Sequence, residues 1–392
     1  MEAKLPTEAE PALILTGDCV EQMRTLPDGC ASCCVTSPPY FGLRDYGTGR
    51  WEGGAAECDH RESSETRTEK SKASSTLGGS VETCHASHQF RGVCGKCGAI
   101  RVDQQIGLEA TPDEYVAKMV AVFREVRRVL RDDGTLWLNL GDSYAGSWGN
   151  YSGQNRGKGG QREITVGSQA PNPAYDGLEN WRPPASRKLD GIKPKDLIGI
   201  PWAVAFALRA DGWFLRQDII WAKPNPMPES VTDRCTKSHE YLFLLSKSER
   251  YHFDADAIKE PASGELRPIG KGTAKARNFG STGGNEGTDV KIGGETRNKR
   301  SVWTVATKPY KGAHFATMPP GLVEPCVLAG CPVGGTVLDP FAGSGTTLAV
   351  AVGLDRLAIG CELNPDYVAL ARKRIATALG TGAGSLFADE PA

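Results

Sequence analysis

No stretch of the chain strings together the ~18 apolar residues that a membrane-spanning helix needs. The opening MEAKLPTEAE has neither a basic n-region nor an apolar h-region, so no secretory signal is expected there. Surplus charge is missing as well: 46 Lys and Arg stand against 47 Asp and Glu, for a formal net charge of −1. A global electrostatic pull on nucleic acid is thereby excluded, and any such binding must come from local basic patches. No internal repeat is evident. The 12 cysteines are too sparse for a disulfide scaffold; they suggest a reduced, soluble, cytoplasmic protein with some thiols available to metal. What is present is an ordinary apolar share, 39% of 392 residues, enough for one large α/β domain with insertions or for two domains.

Residues 12–36 read strand, helix, strand: ALILTGD, CVEQMRTL, ASCCVT. Thr111-Pro-Asp-Glu114 is a capping box with proline at the first helical position. Apolar residues from Val116 to Leu130 follow at helical spacing, Asp133-Gly134 is expected to end that helix, and TLWLNL is a buried strand. PWAVAFALRADGW predicts a helix, FLRQDIIWAK and HEYLFLLSK predict strands, and GLVEPCVLAG, TVLD, TTLAVAVGLD, LAIGCE and DYVALARKRIATAL alternate helix and strand. Strands alternating with helices imply a doubly wound, mostly parallel sheet.

Thr336-Val-Leu-Asp-Pro-Phe-Ala-Gly-Ser-Gly-Thr-Thr347 sets Gly-x-Gly between a strand and a helix, where backbone N–H groups meet a ligand. No lysine follows, as a Walker A loop requires, and Leu348 replaces the third glycine of a dinucleotide fingerprint. Glu362 ends the next strand and can accept hydrogen bonds from ribose hydroxyls. An adenosine ligand without a pyrophosphate fits best. The rival reading of this segment alone is a tight structural turn followed by a surface glutamate.

TSPPYFGLRDYG, residues 36–47, leaves a buried strand through a rigid, donor-free corner. Ser37 Oγ and the carbonyl of Pro38 are two acceptors fixed in advance. They suit an aromatic amine, a poor nucleophile until its lone pair is drawn out of conjugation. Tyr40 offers a face on which an extruded base can stack.

Together TSPPY, DPFAGSGTT and GCELNPDY resemble the β class of amino-group DNA methyltransferases, which transfer a methyl from S-adenosylmethionine to an exocyclic nitrogen of cytosine or adenine. The resemblance covers roughly residues 12–48, 108–145, 196–256 and 303–375. It implies the circularly permuted S-adenosylmethionine-dependent methyltransferase fold, double-stranded DNA with a flipped base as substrate, a monomer or homodimer, a bacterial or phage origin near the nucleoid, and a cognate restriction enzyme as partner. It assigns Ser37, Pro38, Pro39 and Tyr40 to catalysis. Asp339, Pro340, Phe341, Gly343, Ser344, Gly345, Thr346 and Glu362 go to the cofactor, with Asp18 near its adenine. Serine at the corner is more typical of cytosine-N4 enzymes, and aspartate of adenine-N6 enzymes, so cytosine is expected, with adenine as the alternative. RNA adenine enzymes usually carry Asp and Trp where Ser37 and Tyr40 stand. A cytosine-5 enzyme would need a Pro-Cys nucleophile, and Pro325-Cys326 sits inside an apolar helical run, so Cys326 reads as a packed thiol. A decayed, non-catalytic nucleic-acid-binding protein is the rival of a different class.

The catalytic domain is expected over residues 12–47, 101–256 and 301–378, with a flexible tail at 379–392. Residues 48–100 form a Cys/His-rich insertion in which Cys94-Gly-Lys-Cys97-Gly has the form of a zinc knuckle. Cys58 and His60 are the expected further ligands, in competition with Cys84, His85 and His88, and the zinc is expected to be structural. Residues 145–195 and 257–300 are loop-rich candidates for target recognition. Ten Lys and Arg against four Asp and Glu over 265–311, a net +6, and a net +4 over 181–195 suit contacts to a phosphate backbone.

Overall fold

The computed structural model describes residues 5–42, 48–58, 94, 96–145, 191–262, 296–307 and 318–381. His60, Cys84, His85, His88, most of both target-recognition segments and the tail beyond 381 lie outside the described residues. In chain order the strands are β1 (Ala12–Thr16), β2 (Ala31–Thr36), β3 (Arg50–Glu52), β4 (Ile100–Val102), β5 (Leu130–Leu140), β6 (Phe214–Ala222), β7 (His239–Ser246), β8 (Glu260–Pro261), β9 (Thr296–Arg297), β10 (Val302–Thr304), β11 (Thr336–Asp339) and β12 (Leu357–Glu362). The helices are α1 (Cys19–Arg24), α2 (Pro112–Val129), α3 (Ile200–Ala210), α4 (Pro320–Gly330), α5 (Thr346–Gly353) and α6 (Pro365–Thr381). None of them is long and apolar enough to cross a membrane.

The main sheet has the order β1-β12-β11-β2-β5-β7-β6-β10. Its first five strands run parallel, and β7 alone is reversed against both β5 and β6. Helices cover both faces, which is why ASCCVT is buried at every position rather than alternating with polar residues. Cys34, Leu136 and Leu138 pack under α1, α2 and α3 on one side. Cys33, Val35 and Trp137, one residue out of phase, pack under α4, α5 and α6 on the other. The expected doubly wound, mostly parallel sheet is what the chain forms.

Thr111 and Glu114 close the capping box of α2 reciprocally, and Pro112 occupies its first turn. The helix ends at Val129, four residues before the Asp133-Gly134 stop read from the sequence. Leu130 turns to φ −72°, ψ 142°, is fully buried and pairs with Ala31 in the sheet. Its carbonyl accepts from Lys247 Nζ at 2.7 Å. Burial and a strand partner outweigh the glycine stop.

Candidate active site

The carboxyl ends of the parallel strands and the amino end of the reversed strand meet along one edge of the sheet. Across this edge lie Asp18 after β1, Glu362 of β12, Asp339 of β11, Ser37 after β2, Asn139 of β5, Glu240 of β7 and Lys223 after β6. In open α/β sheets such an edge is where ligands bind.

Asp339 and Thr36 are buried neighbours: Thr36 Oγ1 donates to Asp339 Oδ1 at 2.7 Å. The same oxygen accepts from the backbone N–H of Phe341 at 3.0 Å. Burial pushes the Asp339 carboxyl up to about 6, against the pull of these hydrogen bonds. Glu362 Oε2 accepts from Gly343 N–H and its Oε1 from Asn364 N–H, both at 2.8 Å. Burial raises its pKa too. Asp18 caps α1, accepting from Val20 and Glu21 N–H at 2.9 and 3.0 Å. A buried carboxylate, Asp339, and a half-buried one, Glu362, at adjoining strand ends favour a ligand that carries positive charge, since a cation offsets their desolvation. Space is left for one at Gly343, where a Cβ would meet nothing closer than the Phe341 carbonyl oxygen at 4.0 Å.

Ser344 and Thr346 are placed differently. Both are buried, and both hydroxyls accept from Arg374 Nη1 of α6, at 3.2 and 2.7 Å. Their visible work is to tie the loop to the last helix. Pro340 is buried in the turn and Phe341 half-buried beside it.

The TSPPY corner carries a second network. Tyr40 Oη lies 2.6 Å from Glu240 Oε2 and 2.9 Å from Asn139 Oδ1. Ser37 Oγ lies 3.1 Å from the same Asn139 oxygen. Asn139 Nδ2 donates to the Tyr241 carbonyl at 3.1 Å and to Glu240 Oε2 at 3.3 Å, which fixes its amide. Glu240 Oε1 pairs with Lys223 Nζ. Tyr40 has one proton for two acceptors, and the shorter contact gives it to the Glu240 carboxylate, a charge-assisted bond, while Ser37 donates to Asn139 Oδ1. The Ser37 lone pairs are then left for another donor. Burial and the neighbouring Glu240 hold the Tyr40 phenol well above its ordinary pKa, so it stays protonated. The corner is braced from beneath, because Tyr115 Oη donates to the Pro39 carbonyl at 2.9 Å.

Asn139, Glu240, Lys223, Tyr115 and Arg374 were not read as site residues from the sequence. The one local signal was Asn139 itself, a polar residue inside the apolar TLWLNL strand and only 1% exposed. Cys326 is 1% exposed and its thiol donates to the Leu322 carbonyl at 3.2 Å, a packed group within α4.

The N6/N4 methyltransferase family model, described as a DNA methylase, matches residues 31–373. Type II methyltransferase M.SmaI of Serratia marcescens is 38% identical over 377 residues, 95% of this chain and 94% of the relative. Type II methyltransferase M.Cfr9I of Citrobacter freundii is also 38% identical, over 94% of this chain and 89% of its own length. The solved structure of PvuII DNA methyltransferase (cytosine-N4-specific) shares the fold, with a TM-score of 0.51 at 14% identity, covering 95% of this chain and 88% of that one. With a family match over most of its length and relatives alike from end to end, the chain belongs to the N6/N4 DNA methylases and is a type II, site-specific DNA amino-methyltransferase.

Proposed function

We propose that the chain methylates the exocyclic N4 of cytosine in double-stranded DNA, acting in the cytoplasm beside a cognate restriction enzyme. The cofactor is S-adenosylmethionine, which when bound supplies an electrophilic sulfonium methyl. Asp339, Glu362 and the backbone of Phe341 to Gly345 would hold it, and the two carboxylates suit its positive charge. Asp18 already serves as a helix cap and would act there only through its remaining acceptor capacity. Tyr40, held by its hydroxyl, presents a stationary ring to a flipped base, a contact worth about 1–3 kcal/mol. Ser37 Oγ and the Pro38 carbonyl accept from the target amine and favour a pyramidal, nucleophilic nitrogen. The amine proton leaves to solvent.

The observation that carries this reading is the Ser37–Asn139 pair at 3.1 Å. A serine whose proton is directed into a fixed amide oxygen is an acceptor towards an amine. Serine at this corner, where adenine enzymes of the family more typically carry aspartate, favours cytosine. The deciding experiment expresses the chain in a host without DNA methylation and maps 4-methylcytosine and 6-methyladenine separately. 4-Methylcytosine at one sequence, lost with Ser37→Ala, is expected; 6-methyladenine would overturn the base assignment.

The raised Asp339 carboxyl predicts a proton linkage. In the free protein this acid holds its proton up to about pH 6, against a reference of 3.8. Its contribution to stability is therefore present below about pH 4 and lost as pH rises to about 6. A cation bound beside it favours the ionised form. Asp339 is thus expected to release a proton on cofactor binding near pH 6, and affinity should weaken as pH falls below that value. Calorimetry in buffers of different ionisation heat measures the release. An affinity constant from about pH 5 to 7 would contradict it.

A further inference from the structure

The geometry points to a structural zinc site formed by Cys58, Cys94 and Cys97, which braces the two legs of chain that meet beside the TSPPY corner. The three sulfurs all lie within 4.8 Å of one another. Cys58 Sγ and Cys94 Sγ are 3.9 Å apart. A disulfide would bring two sulfurs to about 2.05 Å. Two ligands of one tetrahedral zinc, each about 2.3 Å from the ion, sit about 3.8 Å apart. The Cys58–Cys94 spacing matches that of two ligands of one ion and not that of a disulfide.

The backbone is shaped around the same point. The Cys94 N–H donates to the Ala99 carbonyl at 2.6 Å, and the Gly98 N–H donates back to the Cys94 carbonyl at 2.9 Å, closing a tight turn that carries two of the thiols. Gly54, at φ +75°, approaches so closely that a Cβ there would lie 2.6 Å from Cys97 Sγ. Cys58 is carried by a second turn, its N–H donating to the Ala55 carbonyl at 3.0 Å. Between these turns runs a ribbon of only three residue pairs, β3 against β4. A two-stranded ribbon this short is at best marginally stable in water, and its Ile100 is 56% exposed. Among the described residues the ribbon buries little apolar surface, whereas metal binding adds its free energy directly to folding. Three soft thiolates select zinc over magnesium, calcium or manganese.

The module's place in the chain gives the ion a task. The chain leaves the corner after Gly42 and comes back beside it, where Gly42 N–H donates to the Gly107 carbonyl at 2.7 Å. Thr48 Oγ1 donates to Asp103 Oδ1 at 2.9 Å, joining the two legs of the ribbon. An ion locking the far end of the ribbon keeps both legs in register. Its role is positioning, for no reacting group touches it.

Metal analysis of the full-length protein, purified without chelator, is expected to find about one zinc per chain. Cys97→Ser should fall below roughly 0.2 zinc per chain, and Cys97→His should recover most of it. Cobalt substitution of the wild type should give tetrahedral d–d bands with sulfur-to-metal charge transfer, largely lost in Cys97→Ser together with the metal. S-Adenosylmethionine binding by Cys97→Ser, within about two-fold of wild type, shows that the variant is folded. Wild-type protein with less than roughly 0.2 metal per chain, iron in place of zinc, or Cys97→Ser with undiminished zinc would each overturn the site.

Discussion

Gly141→Ala is expected to lower kcat about 10²-fold or more while leaving S-adenosylmethionine affinity within about two-fold of wild type. A Cβ at position 141 would lie 2.5 Å from Tyr40 Cε2 and 2.9 Å from Cδ2, so the ring has to move. Residue 141 has no positive φ, and alanine there carries no backbone penalty. The effect is confined to the ring. Displacing it breaks the bond to Glu240 at 2.6 Å and shifts the group that sets Asn139 and, through it, Ser37. A misplacement of about 1 Å is enough for a loss of this size. A double-mutant cycle checks the cause: Tyr40→Ala should be nearly as impaired, and adding Gly141→Ala to it should cost almost nothing further. Additive losses would mean that Gly141 acts elsewhere.

Gly345→Ala and Gly343→Ala are expected to fail in different ways. Gly345 caps α5 at φ +80°, and a Cβ there would meet Ala371 of α6 at 2.7 Å from its Cβ and 2.9 Å from its Cα. Left-handed strain of about 1–2 kcal/mol adds to overpacking of about 1–3 kcal/mol. Gly345→Ala should therefore lose both thermal stability and cofactor binding. Gly343, at φ +52°, has no protein atom closer than 4.0 Å to its missing Cβ. Alanine there costs only the backbone strain, but it fills space assigned above to the cofactor. Its Tm should fall less than that of Gly345→Ala, with affinity down at least about tenfold. Calorimetric unfolding paired with titration calorimetry separates the two. An unchanged affinity in Gly343→Ala would move the cofactor elsewhere.

The parts of this molecule that were legible in its sequence are those built from neighbours. The capping box of α2 spans Thr111 to Glu114, and the cofactor loop is a single strand–turn–helix. Both depend on residues a few positions apart, where sterics and hydrogen bonding are local. The corner's support was not legible for the opposite reason. Asn139 and Glu240 stand 99 and 200 positions from Tyr40. Glu240 meets it because β7 is reversed and brings its first residues to the carboxyl edge, and Asn139 because β5 ends in parallel beside β2. Helical spacing and a glycine stop read Asp133-Gly134 as the end of α2, but burial of Leu130 in the sheet overrode that local preference. The hydroxyls of Ser344 and Thr346 look like ligand contacts in isolation; Arg374, 30 and 28 positions on, gives them other work.

The pairing of β1 with β12, Thr16 against Glu362, also sets a schedule for synthesis. The catalytic corner leaves the ribosome well ahead of the carboxylate and the arginine that shape the cofactor loop. At about 5–20 residues per second, the roughly 330 residues from Tyr40 to Arg374 take about 15–70 s to make. Throughout that interval the nascent chain has a first strand without its neighbour and an acceptor corner without a methyl donor. A DNA-modifying activity is thus withheld by topology from every chain that has not yet reached Arg374.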